Sequence, residues 1–204
     1  KSYDGVSDQE FDRLIVACQK GQMKKLKQFV KKHKGQINRV SSNGRTLLYV
    51  ACFAGQLKAA KLLLKQHGVQ VNQVNQNGCT ALYAASSEGH VEVVRLLLSK
   101  TDIDINKADE DGFTALYTAS INGHVEVVRL LLSKSDIDIN KAEKDADTAL
   151  FMASAYGHVE IVRLLLSKSE IDINQAQKDE HKPTHVAASL GRIEILRLLL
   201  QQPN

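Results

Sequence analysis

The chain has no tryptophan and two prolines, and aromatic residues make up only 5% of its 204 positions. Any core must therefore be aliphatic, and the aromatic platforms on which single-stranded nucleic acids stack are missing. No apolar run approaches the roughly 18 residues a membrane-spanning helix needs, so membrane insertion is not expected, and the N-terminus, Lys1-Ser2-Tyr3-Asp4, shows no apolar signal segment. Three cysteines give no disulfide framework, and no N-x-[ST] sequon occurs. A cytoplasmic or otherwise intracellular setting is expected, and a secreted or periplasmic one would require that a signal segment had been removed. Cys18 and Cys52 read as small buried packing positions, whereas Cys79 lies in a turn and is expected to be exposed.

What the chain does have is a period. Gly21, Gly55, Gly89, Gly123, Gly157 and Gly191 each follow the last by 34 residues, and Ala17, Ala51, Ala85, Ala119, Ala153 and Ala187 keep the same register four positions earlier. Residues 91–100 (VEVVRLLLSK) recur unchanged at 125–134 and almost unchanged at 159–168. Such self-similarity means stacked supersecondary units, none able to bury its apolar face alone.

Within one unit the apolar spacing is helical twice. Thr80 to Ala85 begins a short helix that Gly89 ends, and Val91, Val94, Leu97 and Leu98 give a second helix its buried stripe. An alternating stretch, Asp102-Ile103-Asp104-Ile105-Asn106, and a turn signal at 109–112 follow. At these residues the chain resembles the ankyrin repeat family: 112–119 (GFTALYTA) is similar to its G-x-T-P-L-H-x-A, and 123–128 (GHVEVV) to its G-H-x-E-(V/I)-V. The resemblance spans most of the sequence. It implies an all-α fold, an ankyrin-repeat solenoid of helix-turn-helix units joined by hairpin-like loops, as one domain over 1–204. The approximate units are 1–40 as N-terminal cap, 41–74, 75–108, 109–142, 143–176, and 177–204 as C-terminal cap or truncated unit.

The departures from the family pattern carry expectations of their own. Leu47, Ala81, Ala115 and Ala149 replace the motif proline, which survives as Pro183, and only His185 keeps the motif histidine. The extra residue per unit falls after the second helix, near Ser99 to Asp102, where the loop is expected to be longer and less strictly capped. Leu198, Leu199 and Leu200 make the C-terminal cap look more apolar than the N-terminal one.

Charge is uneven: residues 1–40 hold ten Lys or Arg against four acidic residues, a local +6 against +4 for the whole chain. Lys20, Lys24, Lys25, Lys27, Lys31, Lys32 and Lys34 read first as a solvated cap and second as a surface for an anion or oligonucleotide. His90, His124 and His158 stand one per layer, too far apart to converge on one zinc, and are assigned to ordering the turn between helices. Ser86, Ser120 and Ser154 recur with the repeat, whereas a nucleophile is needed once. The carboxylates of successive turns, among them Asp109, Glu110, Asp111, Glu143, Asp145, Asp147 and Asp179, lack EF-hand spacing, and no P-loop or zincin motif is present. No catalytic, cofactor-binding or metal-binding residue is assigned, and the chain is not read as an enzyme.

Comparing the units with one another locates the expected function, because positions that hold the stack must recur while positions that touch a partner are free to differ. One row after the turn glycine reads Arg45, Cys79, Phe113, Asp147, His181; two rows after the repeated alanine read Phe53, Ser87, Ile121, Ala155, Ser189 and Ala54, Glu88, Asn122, Tyr156, Leu190. By the resemblance these rows line the concave groove. The expected partner-binding residues are Arg45, Phe53, Glu110, Asp111, Phe113, Ile121, Asp145, Asp147 and Tyr156, with Phe113 and Tyr156 as anchors. Two alternatives stay open: Phe113 folding back on its own turn, and Ile121 or Phe53 completing the core. The expected role is a monomeric, non-catalytic protein-interaction scaffold serving as inhibitor, adaptor or targeting module, with a partner of basic or mixed charge; nucleic acid is the lesser reading.

Overall fold

The computed structural model describes residues 6–175, 178 and 180–202, so Asp179 of the acidic turns and the segment Lys1-Ser2-Tyr3-Asp4 lie outside the described residues. Twelve α-helices occur among those residues, in six successive pairs: α1 (Asp8–Gln19) with α2 (Met23–Lys32), α3 (Leu47–Phe53) with α4 (Leu57–Leu63), α5 (Ala81–Ser87) with α6 (Val91–Leu97), α7 (Ala115–Ile121) with α8 (Val125–Leu131), α9 (Ala149–Tyr156) with α10 (Val159–Leu166), and α11 (Pro183–Ser189) with α12 (Ile193–Leu200). First helices pack on first helices of the neighbouring layers, and second helices on second helices. The described loops hold no named strand, only an isolated bridge between Val40 and Thr46.

Helices of seven residues do not persist alone, so each needs local caps and a packed face. Thr46, Thr80, Thr114 and Thr148 supply the caps: each side chain accepts from the backbone N–H three residues on. Lys182 replaces threonine in the last layer and its ammonium has no lone pair to offer, although Pro183 pre-sets the first turn. The packed face is the repeat written in side chains. Leu48, Leu82, Leu116 and Leu150 form one buried row, and Leu63, Leu97, Leu131, Leu165 and Leu199 a second.

Polar ladders tie the layers together. Asn72, Asn106 and Asn140 each donate Nδ2 to a carbonyl of the next layer (Asp102, Asp136 and Glu170, at 2.6–2.7 Å) and accept a backbone N–H from that same loop. Each of these side-chain amides is thereby paired twice across one interface. The loop after the second helix is not loosely capped, contrary to expectation: Ser99, Ser133 and Ser167 donate their hydroxyls to the carbonyls of Leu96, Leu130 and Leu164.

Two further expectations need correction. Cys79 is buried, because its loop tucks against the next tip with Sγ 3.8 Å from Asp109 Oδ2, and burial first, then Asp109, pushes its thiol up to about 11. Cys18 and Cys52 are buried as expected. The histidines do more than order their own turns. His90, His124 and His158 direct Nε2 to the carbonyls of Phe53, Ser87 and Ile121 in the preceding layer, at 2.8–3.0 Å. Gln56 and Arg192 occupy the same position and bond Gln19 and Ala155 in the same way. Each imidazole also covers the preceding layer's turn glycine, so closely that a Cβ on Gly89 would lie 2.6 Å from the His124 ring.

The loop-tip glycine is lost in layers five and six, where Ala146 and Glu180 hold the left-handed φ of 67° and 60° that Gly44, Gly78 and Gly112 adopt earlier. A side chain there costs about 1–2 kcal/mol, offset in part by the extra unfolded-state freedom of glycine. Ala146→Gly is therefore expected to stabilise the protein by roughly 0.5–1 kcal/mol, read as a shift of the denaturant midpoint at unchanged slope.

Candidate functional site

The rows that differ between layers lie on the loop tips and on the C-terminal ends of the first helices. The fourth and fifth tips are each fixed by a single side chain. Asp109 Oδ1 accepts the N–H groups of Asp111 and Phe113 at 3.0 and 2.9 Å, and Glu143 Oε1 accepts those of Asp145 and Asp147 at 2.8 and 3.0 Å. Backbone bonds then link one tip to the next, Glu110 N–H to the Asn77 carbonyl and Lys144 N–H to the Asp111 carbonyl. The tips form a rigid row, which lowers the entropy lost when a partner binds.

Phe113 is half-buried, its ring stacked on Tyr117 at 4.7 Å between centroids. It folds onto its own helix and remains partly exposed. Tyr156 is the most exposed of the predicted anchors, at 55%, with its ring parallel to His158 at 6.3 Å. Tyr117 lies between the two: burial first, then Asp147, Glu143 and Tyr156, raises its hydroxyl well above the usual value. Phe113, Tyr117, Asp147 and Tyr156 thus form one neighbourhood spanning the fourth and fifth layers.

Phe53 stands apart in the second layer, 38% exposed and stacked on Tyr49 at 6.3 Å, outside the main apolar cluster. Ile121 is partly buried, also outside that cluster, and its carbonyl serves His158. Neither side chain completes the core. Arg45 and Glu110 are exposed at their tips. Asp111 and Asp145 are less available as bare charges than the sequence suggests. Lys144 and Lys178, each on the next tip, reach them at 2.9 Å, and the Asp111 hydrogen bond holds the Lys144 ammonium above its ordinary range. The rim therefore alternates in sign.

Two features escaped sequence reasoning. Leu190, the sixth-layer equivalent of Tyr156, is 52% exposed and extends the apolar strip by one layer. Its row was expected to line the groove, but Leu190 itself was not among the expected partner-binding residues. The Asp–Lys cross-tip pairs were also missed, although each lysine sits one layer on and one register position before the aspartate it meets.

Ser86, Ser120 and Ser154 are fully buried between helices, and Ser154 Oγ donates to the Leu150 carbonyl at 2.7 Å. A nucleophile must meet substrate, and these do not. With each Nε2 bound to a carbonyl and the rings in separate layers, zinc titrated into chelator-treated protein is expected to give no saturable one-to-one isotherm. Tight stoichiometric uptake would overturn the structural assignment of His90, His124 and His158.

The pattern of paired short helices, threonine caps and turn glycines under imidazoles matches the family described as ankyrin repeats (3 copies), over residues 6–75, 67–143 and 136–204. The chain belongs to the ankyrin repeat family. Its members are generally protein-interaction modules and typically non-catalytic scaffolds. No curated protein matches the chain. Among the described residues no helix is long and apolar enough to cross a membrane.

Proposed function

We propose that this protein is a non-catalytic scaffold that grips a partner protein in the concave groove lined by its loop tips and first helices. Tyr156 is the principal anchor and Phe113 the second. The observation that carries this reading is a contrast within single units: the framework residues largely recur from layer to layer, while the rows through Phe113 and Tyr156 change at every layer. Tyr156 offers a large ring to water at a position where other layers place Ala54, Glu88 and Asn122. An exposed aromatic within a polar rim is the physical form of an interaction hot spot.

The partner's charge follows from the rim. Because Asp111 and Asp145 are half-neutralised by Lys144 and Lys178, a surface of mixed charge complements the tips better than a uniformly basic one. Arg45, Glu110 and Asp147 set register at the edges, and Phe53, Ile121 and Leu190 extend the apolar contact.

Salt tests the reading. The dissociation constant of the captured partner, measured at about 50 and about 200 mM salt, is expected to rise by less than about tenfold. A loss of about 10³ or more is the signature of phosphate neutralisation, and would move the function to an anion-binding surface instead.

A further inference from the structure

The groove makes no use of the N-terminal end of the stack. Helices α1 and α2 are covered on one side by α3 and α4, whereas two adjoining depressions of about 290 and about 460 Å³ open along them. They share Arg13 and Lys25. Phe29 and Leu14 lie in the first, and Val16, a large aliphatic side chain left 47% exposed, lies in the second with Lys20. The depressions are thus lined by apolar and mainly cationic side chains, with Glu10 in the first and Asp12 in the second.

Those cations outnumber the carboxylates beside them, of which Glu10 feels Arg13 and Lys32 without pairing with either. Exposed Lys24, Lys25, Lys27, Lys31 and Lys32 stand along the ten residues of α2. Each carboxylate of α1 is already engaged: Asp8 pairs with Arg39, Glu10 caps Ser7, and Asp12 accepts the Ser42 N–H. Among the described residues, no ion pair joins Arg13, Lys20 or any lysine of α2 to a carboxylate. A surface that merely solvates a cap has no need of an aliphatic floor beneath unpaired lysines.

We propose that this end face is a second docking surface, separate from the groove, and that it takes an acidic amphipathic helix of a partner protein. The helical form follows from the stack, because within it each helix pair is covered by further helices, and a helix laid along α1 and α2 continues that packing. The acidic face answers the unpaired lysines, and the apolar face packs on the exposed Val16. Nucleic acid fits worse. Among the described residues, the only ring beside these lysines apart from His33 is Phe29, which is buried and cannot stack on a base.

The probe is a labelled synthetic helix of about five turns, with leucines along one face and glutamates on the other, followed by fluorescence anisotropy at low salt. It is expected to bind saturably. Lys25→Glu with Lys32→Glu should weaken binding by about tenfold or more, and Val16→Ser should weaken it several-fold, while Phe113→Ala with Tyr156→Ala leaves it unchanged. All these positions are exposed or half-buried, and circular dichroism checks that each variant folds. The proposal fails if the helix does not bind or the lysine changes have no effect. It also fails if a scrambled peptide of equal charge, an oligonucleotide or an anionic vesicle binds as tightly, since the face would then be a polyanion surface without shape. Because the groove variant serves as the unaffected control, failure here leaves the groove reading standing.

Discussion

Leu116→Ala is expected to cost roughly 2–5 kcal/mol of stability, the range for deleting a buried leucine and leaving a cavity. Leu116 is 1% exposed and lies in α7, which packs on α5, α8 and α9 together. The change therefore damages the fourth layer and both of its interfaces. In a stack whose stability is a sum of units and nearest-neighbour interfaces, such a central lesion should also broaden the unfolding transition, as the halves on either side begin to melt independently. Denaturant unfolding followed by circular dichroism measures both effects. A loss below about half a kcal/mol would mean that the cavity term is absent and the helix register assigned to this row is wrong.

Much of the fold was legible because the repeat exposes its own constraints. A residue that returns at every thirty-fourth position does so for the stack, and the six glycines, the six alanines and the leucine rows all proved to be framework. Less legible was how the framework works across layers. The sequence assigns His124 to the turn it follows, but the ring reaches back to the Ser87 carbonyl, a contact that no local pattern encodes. Cys79 was misjudged for the same reason: a turn residue looks exposed until the neighbouring layer covers it. The candidate site was legible in its rows but not in its charges, since the pairing of Asp111 with Lys144 depends on how adjacent tips align.

The anchors differ in expected weight. Tyr156 is over half exposed, stacks on His158 and lies outside the main apolar cluster, so its truncation removes mainly binding area. Phe113 holds Tyr117 with one face, and part of any loss there is structural. A hot-spot truncation costs about 2 kcal/mol or more, or about thirtyfold in affinity. Tyr156→Ala is expected to reach that figure and Phe113→Ala to fall short of it. Together they should weaken binding by about a hundredfold or more, beyond recovery in a capture experiment. Neither change removes a fully buried side chain, so the helical signal should be unchanged.

Affinity capture from the native source with the wild-type chain and with Phe113→Ala, Tyr156→Ala tests the groove most directly. The account predicts that the wild-type chain retrieves its main partner, that the folded double variant does not, and that neutralising Lys24, Lys25, Lys31 and Lys32 leaves that retrieval intact. If the double variant retrieves the partner at wild-type affinity and the lysine changes abolish it, the groove is not the principal binding surface.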